Sequence, residues 1–419
     1  MKILKSFSLY TAASFIEKGL AFFLLPIFTF YLTKGDFGNL ALLTSISSFI
    51  LPLVALGIQG AISVAYFKGE QKNYSSYLTS ALIPPFGIAV VLTLVTIIFG
   101  SYVEFFFRVP LFWIISIPFY CFLSFFNSLL LIDYQIKNEA GKYVAYSLFG
   151  TLVNFLISLL LVIVFHYGYQ GRLIGQYLSA FIVSIIAFYT MWRKRKLLVN
   201  NVKWDNVKDS LWFGLPLVSH VFGTMVINMS DRMFIDHFYG KDVLGVYNVG
   251  YVVGSTISIF TGAFASAIIP FSYELFSMNT HKALVKVVKV YWVFIALMVF
   301  TALGVLLFTP FVFKHFLDAK FSEGAEYVTW IVFGFFFQGM YLLFANIIFY
   351  LKKTKVLFYM SFVNILLNLG LNYVLVPKFG PIGAAYTICI NYFVFFVSIA
   401  VYSDTLLRLP WLSVIYKKN

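Results

Sequence analysis

Charged residues are scarce in this sequence: Asp, Glu, Lys and Arg make up 11% of the 419 residues, against about 25% in average soluble domains. Hydrophobic residues account for 61%. A soluble chain with so little charge would expose large apolar patches and aggregate. These proportions exclude disordered, collagen-like and nucleic-acid-binding proteins. Together with a mean hydropathy of +0.90, they predict a polytopic membrane protein.

Cysteines and catalytic motifs are also few. The two cysteines, Cys121 and Cys389, fall within long apolar runs, so a secreted, disulfide-linked fold is not expected. HExxH, GxSxG, Walker A and paired CxxC motifs are absent from the sequence, and we expect no metal site, no cofactor and no enzyme activity. The first apolar run is longer than the core of a signal peptide and is interrupted by Glu17 and Lys18, so no cleavable signal is expected.

Long apolar runs, in contrast, are abundant. A membrane-spanning helix needs about 20 mostly apolar residues, and charge clusters and turn residues divide the chain into twelve such segments. A β-barrel is not expected, because runs such as 90–99 are apolar on every side rather than alternating. The sequence therefore predicts an all-α polytopic membrane protein with about 12 transmembrane helices. The predicted spans lie near 8–32, 39–66, 74–99, 111–132, 143–166, 171–192, 209–237, 245–272, 284–308, 327–350, 356–376 and 383–404.

The formal net charge of +14 comes from 30 Lys and Arg against 16 Asp and Glu. Most of the basic residues fall in alternate loops on one side of the predicted spans, and the few on the opposite side include Arg108, Arg172 and Lys378. Since loops rich in Lys and Arg stay in the cytoplasm, this bias predicts cytoplasmic N- and C-termini. The positive excess is therefore interpreted as a topology signal, and no nucleic-acid partner is expected.

The basic stretch 193–208, RKRKLLVNNVKWDNVK, lies at the midpoint of the chain and is interpreted as a cytoplasmic linker. It separates an N-terminal six-helix lobe, 1–192, from a C-terminal six-helix lobe, 209–404, which is followed by a cytoplasmic tail, 405–419. Two lobes of six spans have the same membrane orientation and would be related by an axis along the membrane normal. This design favours a cavity between the lobes and transport by alternating access.

An internal repeat supports the two halves. VNFLISLLLVIVF begins at Val153 and is followed by GYQG, and VNILLNLGLNYVLV begins at Val363 and is followed by GPIG. More weakly, YLTKGDFG at 31–38 resembles FYGKDVLG at 238–245. Channels and membrane enzymes can also contain repeats, so the repeat favours transport without proving it.

Lys18 lies near the middle of the first predicted span, where an ionisable residue costs roughly 2.5–3.5 kcal/mol to insert. Thr11, Ser14 and Lys18 share one helical face, which we expect to line a polar cavity rather than face lipid. Glu17 is a candidate proton or cation site. The alternative is that Lys18 or Glu17 forms a salt bridge to another helix and serves assembly alone.

The seventh predicted span carries Asn228, Arg232 and Asp236 at i, i+4, i+8 spacing, with Asp231 alongside. Arg232 is a candidate phosphate ligand, because a guanidinium binds phosphate through two hydrogen bonds. It can also pair with Asp236 along the helix. The alternative is a purely structural ion pair near the outer interface.

The eleventh predicted span carries Asn364, Asn368 and Asn372, again at i, i+4, i+8 spacing. Three amides on one face of a span are not expected to face lipid. They form either hydrogen bonds between helices or one wall of a hydrophilic cavity.

Three segments resemble the polysaccharide-biosynthesis flippases, the Wzx-type transporters of lipid-linked O-antigen or capsule repeat units. Residues 363–387 are similar to the family's asparagine-rich signature of the eleventh and twelfth spans. Residues 25–42 are similar to its first-loop pattern, and residues 230–251 to its segment between the seventh and eighth spans. The similarity extends over essentially the whole chain. One departure is Phe30, where the family often has a basic residue, and this favours Lys18 as the cation of that lobe.

The resemblance implies a MATE-like fold of two six-helix bundles. It implies that an undecaprenyl-diphosphate-linked oligosaccharide moves from the inner to the outer leaflet, with H⁺ or Na⁺ as coupling ion. Lys18 and Arg232 would attract the diphosphate, Glu17 or Asp231 would couple the cation, and Asn228 with the asparagines of the eleventh span would contact the cargo. Membrane lipids and other polysaccharide-assembly proteins are the further partners expected.

Two rival functions stay open from the sequence. A multidrug exporter of the same superfamily would present intramembrane acidic residues to organic cations, whereas the two intramembrane cations here favour an anionic cargo. A membrane-embedded polysaccharide polymerase or glycosyltransferase would need catalytic groups on larger external loops, and the longest external loop, near 309–326, is short.

Overall fold

The structure is a computed structural model, and it describes residues 2–68, 74–199, 201–278, 280–351 and 353–411. Some side chains inside these ranges lie outside the described residues, among them those of Thr11, Ser14, Lys18 and Asn228. The described residues are helical almost throughout, and they contain no β-strand.

In the first half of the chain, the helices are α1 (Lys2–Tyr31), α2 (Lys34–Ala55), α3 (Ile58–Lys68), α4 (Tyr74–Ala81), α5 (Ile83–Ile98), α6 (Gly100–Phe107), α7 (Leu111–Ile136), α8 (Ala140–Leu159) and α9 (Gly168–Tyr189). π-Helical turns extend α8 and α9 over Leu160–Val164 and Thr190–Lys194. In the second half, the helices are α10 (Trp204–Gly254), α11 (Ile257–Ser277), α12 (His281–His315), α13 (Ala325–Tyr350), α14 (Thr354–Phe379) and α15 (Pro381–Leu406). A 3₁₀ turn, Ala319–Gly324, precedes α13.

The prediction of an all-α polytopic membrane protein is confirmed. Ten helical segments of the described residues are long and apolar enough to cross a membrane. Each of the twelve segments predicted from hydropathy coincides with helix. The two numbers differ in part because the predicted spans 209–237 and 245–272 share the long apolar segment Met225–Gly262.

Several predicted spans contain a break that hydropathy does not reveal. In the second span, Leu56 (φ 50°) and Gly57 (φ 65°) adopt left-handed backbone conformations and separate α2 from α3. In the third span, Pro84 and Pro85 lie in the first turn of α5, where a missing backbone N–H costs little. An interrupted helix still satisfies the length requirement of a span, because both pieces remain apolar.

The first-loop segment forms a reciprocal helix cap. Thr33 accepts a hydrogen bond from the backbone N–H of Asp36 (3.0 Å), and Asp36 accepts one from the backbone N–H of Thr33 (2.9 Å). This capping box begins α2. The other carboxylate oxygen of Asp36 accepts a hydrogen bond from the backbone N–H of Tyr169 (3.3 Å). Asp36 therefore binds the first turns of both α2 and α9.

The repeat found in the sequence recurs in the backbone conformation. Gly168 (φ 53°) is the first residue of α9, and Gly380 (φ 80°) directly precedes α15. Both glycines belong to the GYQG and GPIG sequences that follow the repeated apolar runs. Gly240 (φ 79°) in the FYGKDVLG segment interrupts the helical backbone of α10, as the YLTKGDFG segment separates α1 from α2. The two halves therefore share turn positions as well as sequence.

The chain forms two compact units. The first contains Met1–Glu17 and Tyr31–Met229, and the second contains Lys18–Phe30 and Ser230–Asn419. Among the described residues, the first unit is built mainly around α7, which packs against α2, α5 and α9. The second is built around α13, which packs against α11, α12 and α15. The lobe limits predicted from the sequence, at 192, 208 and 404, stay a prediction.

The basic segment 193–208 packs against α4 of the first unit. The backbone N–H of Val199 donates to the Thr79 hydroxyl (3.1 Å), and the backbone N–H of Lys203 donates to the Ser80 hydroxyl (3.0 Å). From Trp204 onward the segment is the start of α10. A segment anchored by backbone hydrogen bonds is held in one path, unlike a flexible connection.

Arg195 fixes the same segment to α7 and α8. Its guanidinium bridges the carboxylates of Asp133 and Glu139. Lys137 also pairs with Asp133 (2.7 Å), and Lys142 pairs with Glu139 (3.2 Å). Two carboxylates and three cations thus form one network at the end of α7 and the start of α8.

Candidate functional site

An ion pair is buried within the second unit. Asp231 and Arg232 lie on α10, and a guanidinium nitrogen of Arg232 donates to Asp231 Oδ1 over 2.7 Å. The side chains expose only 1% and 5% of their surface. A charge moved from water into an apolar interior is costly unless it is paired and hydrogen-bonded, so each of these two residues depends on the other.

A break in the helix α10 brings a third side chain, Tyr247, into contact with the ion pair. The hydroxyl of Tyr247 donates to Asp231 Oδ2 over 2.6 Å. Sixteen residues of continuous helix would separate these positions by about 24 Å, so the contact requires the chain to fold back between them. Gly240, with φ 79° and ψ −179°, provides that reversal, because this backbone region is almost exclusive to glycine.

One aromatic ring lies against the guanidinium, and further rings pack behind it. The Arg232 guanidinium lies 4.0 Å from the centroid of the Tyr251 ring, a distance typical of a cation–π interaction. The Tyr247 ring lies 5.5 Å from that of Tyr327 on α13, and the Tyr251 ring 5.7 Å from that of Phe335. Aromatic side chains of α13 therefore pack against the two tyrosines that contact the ion pair.

The asparagines of α14 form a buried face next to this ion pair. Asn364, Asn368 and Asn372 are 2%, 1% and 0% exposed. The hydroxyl of Ser230, the residue before Asp231, donates to Asn368 Oδ1 over 2.7 Å. The amide nitrogen of Asn372 lies 3.3 Å from the same oxygen. Asn368 and Asn372 thus connect α14 to α10, as expected for hydrogen bonds between helices.

Two amide atoms of this face have no hydrogen-bond partner among the described residues. They are Nδ2 of Asn364 and Oδ1 of Asn372. Asn364 also lines a cavity of about 210 Å³ between α14 and α15. Buried polar atoms without partners are rare in proteins, so these two are available to a ligand or to ordered water.

The structure corrects the pairing expected for Arg232. The sequence spacing suggested Asp236 as its partner, but the ion pair is with the adjacent Asp231, and Asp236 pairs with Lys241 (3.5 Å). An arginine side chain is long and flexible enough to curl back to the residue next to it in the helix. The pair is buried inside the protein.

The remaining candidates are distributed as follows. Glu17 accepts a hydrogen bond from the hydroxyl of Ser147 on α8, within the first unit. The side chains of Lys18 and Asn228 lie outside the described residues. Among the predicted site residues, the structure thus brings Asp231 and Arg232 next to Ser230, which contacts Asn368 and Asn372 of α14.

Sequence reasoning missed Arg172, which it assigned to the outer loops. Arg172 lies in the second turn of α9, and one guanidinium nitrogen donates to Asn154 Oδ1 and to the Ser158 hydroxyl (2.7 Å) on α8. Asn154 and Ser158 occupy the repeat positions of Asn364 and Asn368. The repeat was therefore the signal that identifies this second, partly buried polar face.

The arrangement offers side chains that suit the binding of a ligand. Among the residues that the structure describes, no group of three or more His, Cys, Asp and Glu side chains is placed to hold a metal ion. The cluster in the second unit combines a cation, its carboxylate partner and amide groups. Such groups inside apolar spans are typical of a substrate or ion path through a membrane protein.

Fold and cluster together define a multispanning α-helical membrane protein of the transporter class. The chain belongs to the family of polysaccharide biosynthesis proteins, whose family model matches residues 3–276. The MatE family model also matches, over residues 216–374. The resemblance seen in the sequence motifs is thereby confirmed.

Two relatives from Haemophilus influenzae align with most of the chain. A protein of the Lsg locus is 26% identical over 417 residues, which cover 94% of this chain and 98% of the relative. A membrane protein is 23% identical and covers 88% of this chain and 89% of that protein. The family resemblance is therefore not confined to one part of the sequence.

Solved structures of transporters share the fold. A MATE family transporter of the MOP superfamily in an inward-facing conformation matches with a TM-score of 0.78, 12% identity and 96% coverage of both chains. A MOP superfamily transporter from Pyrococcus furiosus, described as having a binding pocket of reverse polarity, matches with a TM-score of 0.63 and 14% identity, over 99% of this chain and 97% of its own. At these identities the likeness establishes the MATE-like fold alone.

Proposed function

We propose that the protein is a flippase that moves undecaprenyl-diphosphate-linked oligosaccharide repeat units from the inner to the outer leaflet by alternating access. The observation that carries the proposal is the buried Arg232, held beside Asp231 and next to the asparagine face of α14, in a chain of the polysaccharide biosynthesis family. A lipid-linked oligosaccharide needs a cation for its diphosphate and polar side chains for its sugars. Both are present inside apolar spans.

Arg232 would bind the diphosphate by exchanging its partner. In the structure its guanidinium is neutralised by Asp231 (2.7 Å), so a phosphate has to replace that carboxylate. The exchange keeps the cation paired throughout, which avoids the cost of an isolated buried charge. Lys18 is proposed as the corresponding cation of the first span, and Asn228, Asn364, Asn368 and Asn372 as the polar contacts along the route.

Ion coupling follows from the same exchange. When the cargo phosphate occupies Arg232, the displaced Asp231 carboxylate needs a new counter-ion, and a proton or Na⁺ can supply it. Glu17 is the second proposed coupling residue, because a carboxylate inside a span is costly unless it has a partner or a function. The drive is therefore proposed to be H⁺ or Na⁺, with the protein in a bacterial inner membrane, both termini cytoplasmic, and other polysaccharide-assembly proteins as partners.

A reconstituted transport assay tests this function. The full chain is placed in proteoliposomes with an undecaprenyl-diphosphate-linked oligosaccharide that carries a fluorophore on its sugar end, and an impermeant quencher reports the leaflet. We expect the protein to accelerate exchange between leaflets. Arg232→Gln and Lys18→Gln should each abolish this acceleration, whereas Arg193→Gln, which removes an exposed cation, should not.

Two outcomes would contradict the proposal in different ways. If the wild-type protein does not accelerate exchange of this cargo, the flippase function is wrong. If it does, but both variants retain full rates, the two cations are structural and the site assignment is wrong.

A deletion strain tests the function in cells. Deletion of the protein should leave repeat units on the inner leaflet, and normal surface polysaccharide in the deletion strain would count against the function.

Multidrug export is the second candidate, favoured by the MatE match over residues 216–374. An exporter of organic cations would use Asp231 or Glu17 as its cargo ligand. The positive charge of Arg232 would weaken the binding of such a cargo. Uptake of a fluorescent organic cation into the same proteoliposomes separates the two functions.

A polymerase or glycosyltransferase is the third candidate. Release of product from a labelled sugar donor by the purified protein would establish it.

A further inference from the structure

A row of exposed apolar side chains runs along α9 in the first unit and ends at a group of cations. The row consists of Phe181, Ile185, Phe188 and Trp192, which are 48%, 53%, 50% and 46% exposed. Their spacing of four, three and four residues puts them on one helical face. Because large apolar side chains exposed on a membrane-spanning helix face lipid, we call this row the lipid-facing stripe.

Three exposed cations follow the lipid-facing stripe directly: Arg193, Lys194 and Lys196. Within the part of the chain that the structure describes, none of them forms an ion pair with a carboxylate. Arg195, between them, is only 11% exposed and is bound to two carboxylates of the same unit. The protein therefore leaves the three exposed charges without counter-ions, and the complementary ligand is an anion.

Aromatic rings hold two of these cations beside the stripe. The Arg193 guanidinium lies 4.1 Å from the centroid of the Trp192 ring, and Nζ of Lys194 lies 5.8 Å from that of the Tyr189 ring. The Trp192 ring in turn lies 5.8 Å from the Phe188 ring. Trp and Tyr are enriched where a membrane meets water. A cation stacked on such a ring therefore stays at the level of the lipid head groups instead of extending into solution.

The backbone that carries these cations is held in place. In the π-helical turn that ends α9, the backbone N–H of Arg195 donates to the carbonyl of Thr190 (2.9 Å). The backbone N–H of Leu197 donates to the carbonyl of Met191 (2.7 Å), and the side chains of both residues are buried. Cations on an ordered backbone lose less conformational freedom on binding a ligand than cations on a flexible tail. The end of α9 is therefore preorganised for an anionic ligand.

We propose that this end of α9 binds one anionic phospholipid, whose phosphate contacts Arg193 and Lys194 and whose acyl chain lies on the lipid-facing stripe. The stripe favours a lipid over a soluble phosphate, because only a ligand with an apolar chain gains from contact with apolar side chains. The distribution of Lys and Arg predicts that this end of α9 is cytoplasmic, and anionic lipids of the cytoplasmic leaflet attract basic segments next to a span. The inference does not depend on the proposed transport function.

Native mass spectrometry of the detergent-solubilised full chain tests the proposal, because it counts the lipid molecules bound to each protein. The probes are phosphatidylglycerol and phosphatidylcholine with the same acyl chains. We expect one phosphatidylglycerol to bind about 25-fold more tightly than phosphatidylcholine, since each cation beside an anionic lipid contributes about fivefold in affinity. Equal binding of the two lipids would overturn the proposal.

Glycerol phosphate, which carries the anionic group without acyl chains, separates a lipid site from a site for free phosphate. We expect it not to displace phosphatidylglycerol at equal concentration, because it makes no contact with the stripe. Displacement at equal concentration would show that the cations bind a soluble anion, and the assignment to a lipid would be wrong.

Two double variants that remove the same charge test the location of the site. Arg193→Gln with Lys194→Gln should abolish the preference for phosphatidylglycerol and leave phosphatidylcholine binding unchanged, which also reports an intact fold. Lys282→Gln with Lys286→Gln removes two exposed lysines near the start of α12 and should leave the preference unchanged. Equal losses in the two double variants would show a diffuse attraction to the net charge of the protein and would overturn the site.

The tryptophan that lies against Arg193 supplies a further test. Trp192→Leu keeps an apolar side chain on the stripe but removes the ring that positions the guanidinium. We expect it to weaken phosphatidylglycerol binding about fivefold, the contribution of one cation. Trp212→Leu, at an exposed tryptophan of α10, is the control and should have no effect. If Trp192→Leu binds phosphatidylglycerol as tightly as the wild type, the aromatic ring does not position the cation and the proposed site is wrong.

Discussion

At the scale of single residues, the second unit depends on one buried charge pair. Asp231 accepts hydrogen bonds from Arg232 and from the Tyr247 hydroxyl, and Arg232 rests on the Tyr251 ring. Breaking a buried pair leaves an uncompensated charge, whereas removing both partners together costs much less. The pair is therefore a coupled unit, and its two members must be tested together.

The first prediction uses this coupling. Asp231→Asn alone should destabilise the protein by about 3–5 kcal/mol, because Arg232 then remains buried without its counter-ion. The double variant Asp231→Asn, Arg232→Gln should recover much of that loss. Thermal unfolding of the detergent-solubilised proteins, followed by size-exclusion chromatography, measures the difference. A double variant that is as unstable as the sum of both single variants would show that the two charges act independently.

The pairing of Arg232 also shows the limit of what the sequence predicts about the site. Helical spacing predicted that the asparagines of α14 do not face lipid, and it identified Arg232 and Asp231 as candidate site residues without predicting that they are buried. It did not identify Tyr247 and Tyr251, because their contact with the pair depends on the fold-back at Gly240 rather than on spacing along one helix. Arg172 was missed because its position beside a loop resembled a topology charge.

At the scale of helices, glycine controls where α10 changes direction. Gly240 has φ 79° and ψ −179°, and a β-carbon there would meet no atom within 4 Å. The requirement is therefore one of backbone conformation and not of space. Hydropathy predicted the helices on either side, because lipid demands continuous apolar length, but the breaks within spans depend on local backbone geometry that hydropathy does not carry.

A pair of alanine substitutions tests this requirement. Gly240→Ala should destabilise the protein by about 1–3 kcal/mol, because only glycine adopts this backbone region without strain. Gly304→Ala is the control, since Gly304 lies within the helix α12 and its β-carbon would also meet no atom within 4 Å. That variant should be neutral or slightly stabilising. Equal thermal stability of the two variants would contradict the strained turn.

At the scale of the whole molecule, charges outside the spans make stability depend on pH. Partial burial acts to raise the pKa of Glu139, but the hydrogen bonds and charges of Arg195 and Lys142 outweigh it, and the pKa lies below its usual range. A carboxylate with a lowered pKa stabilises the folded state at neutral pH. This contribution is lost as the pH falls through its folded-state pKa.

Glu139→Gln isolates this contribution. The variant should be less thermally stable than the wild type at pH 7, and the difference should shrink as the pH falls below about 4.3, the ordinary pKa of glutamate. The effect should be small, because the Glu139 side chain is 31% exposed and solvent screens the interaction. A difference that grows towards acidic pH would contradict the direction of the pKa shift.

The lysines and arginines of the loops predict the orientation of the whole chain in the membrane. Since Lys and Arg are concentrated in alternate loops, the residues between α11 and α12 should be cytoplasmic, and those between α8 and α9 should face outward. Single cysteines at Met278→Cys and Tyr167→Cys, both at exposed positions, test this in a background in which Cys121 and Cys389 are serine. In intact cells an impermeant maleimide should label only Tyr167→Cys, and permeabilised cells should label both.

The opposite labelling pattern would place both termini outside. The basic stretch 193–208 would then face away from the leaflet in which the proposed cargo is assembled, and the proposed direction of transport would have to be rejected as well.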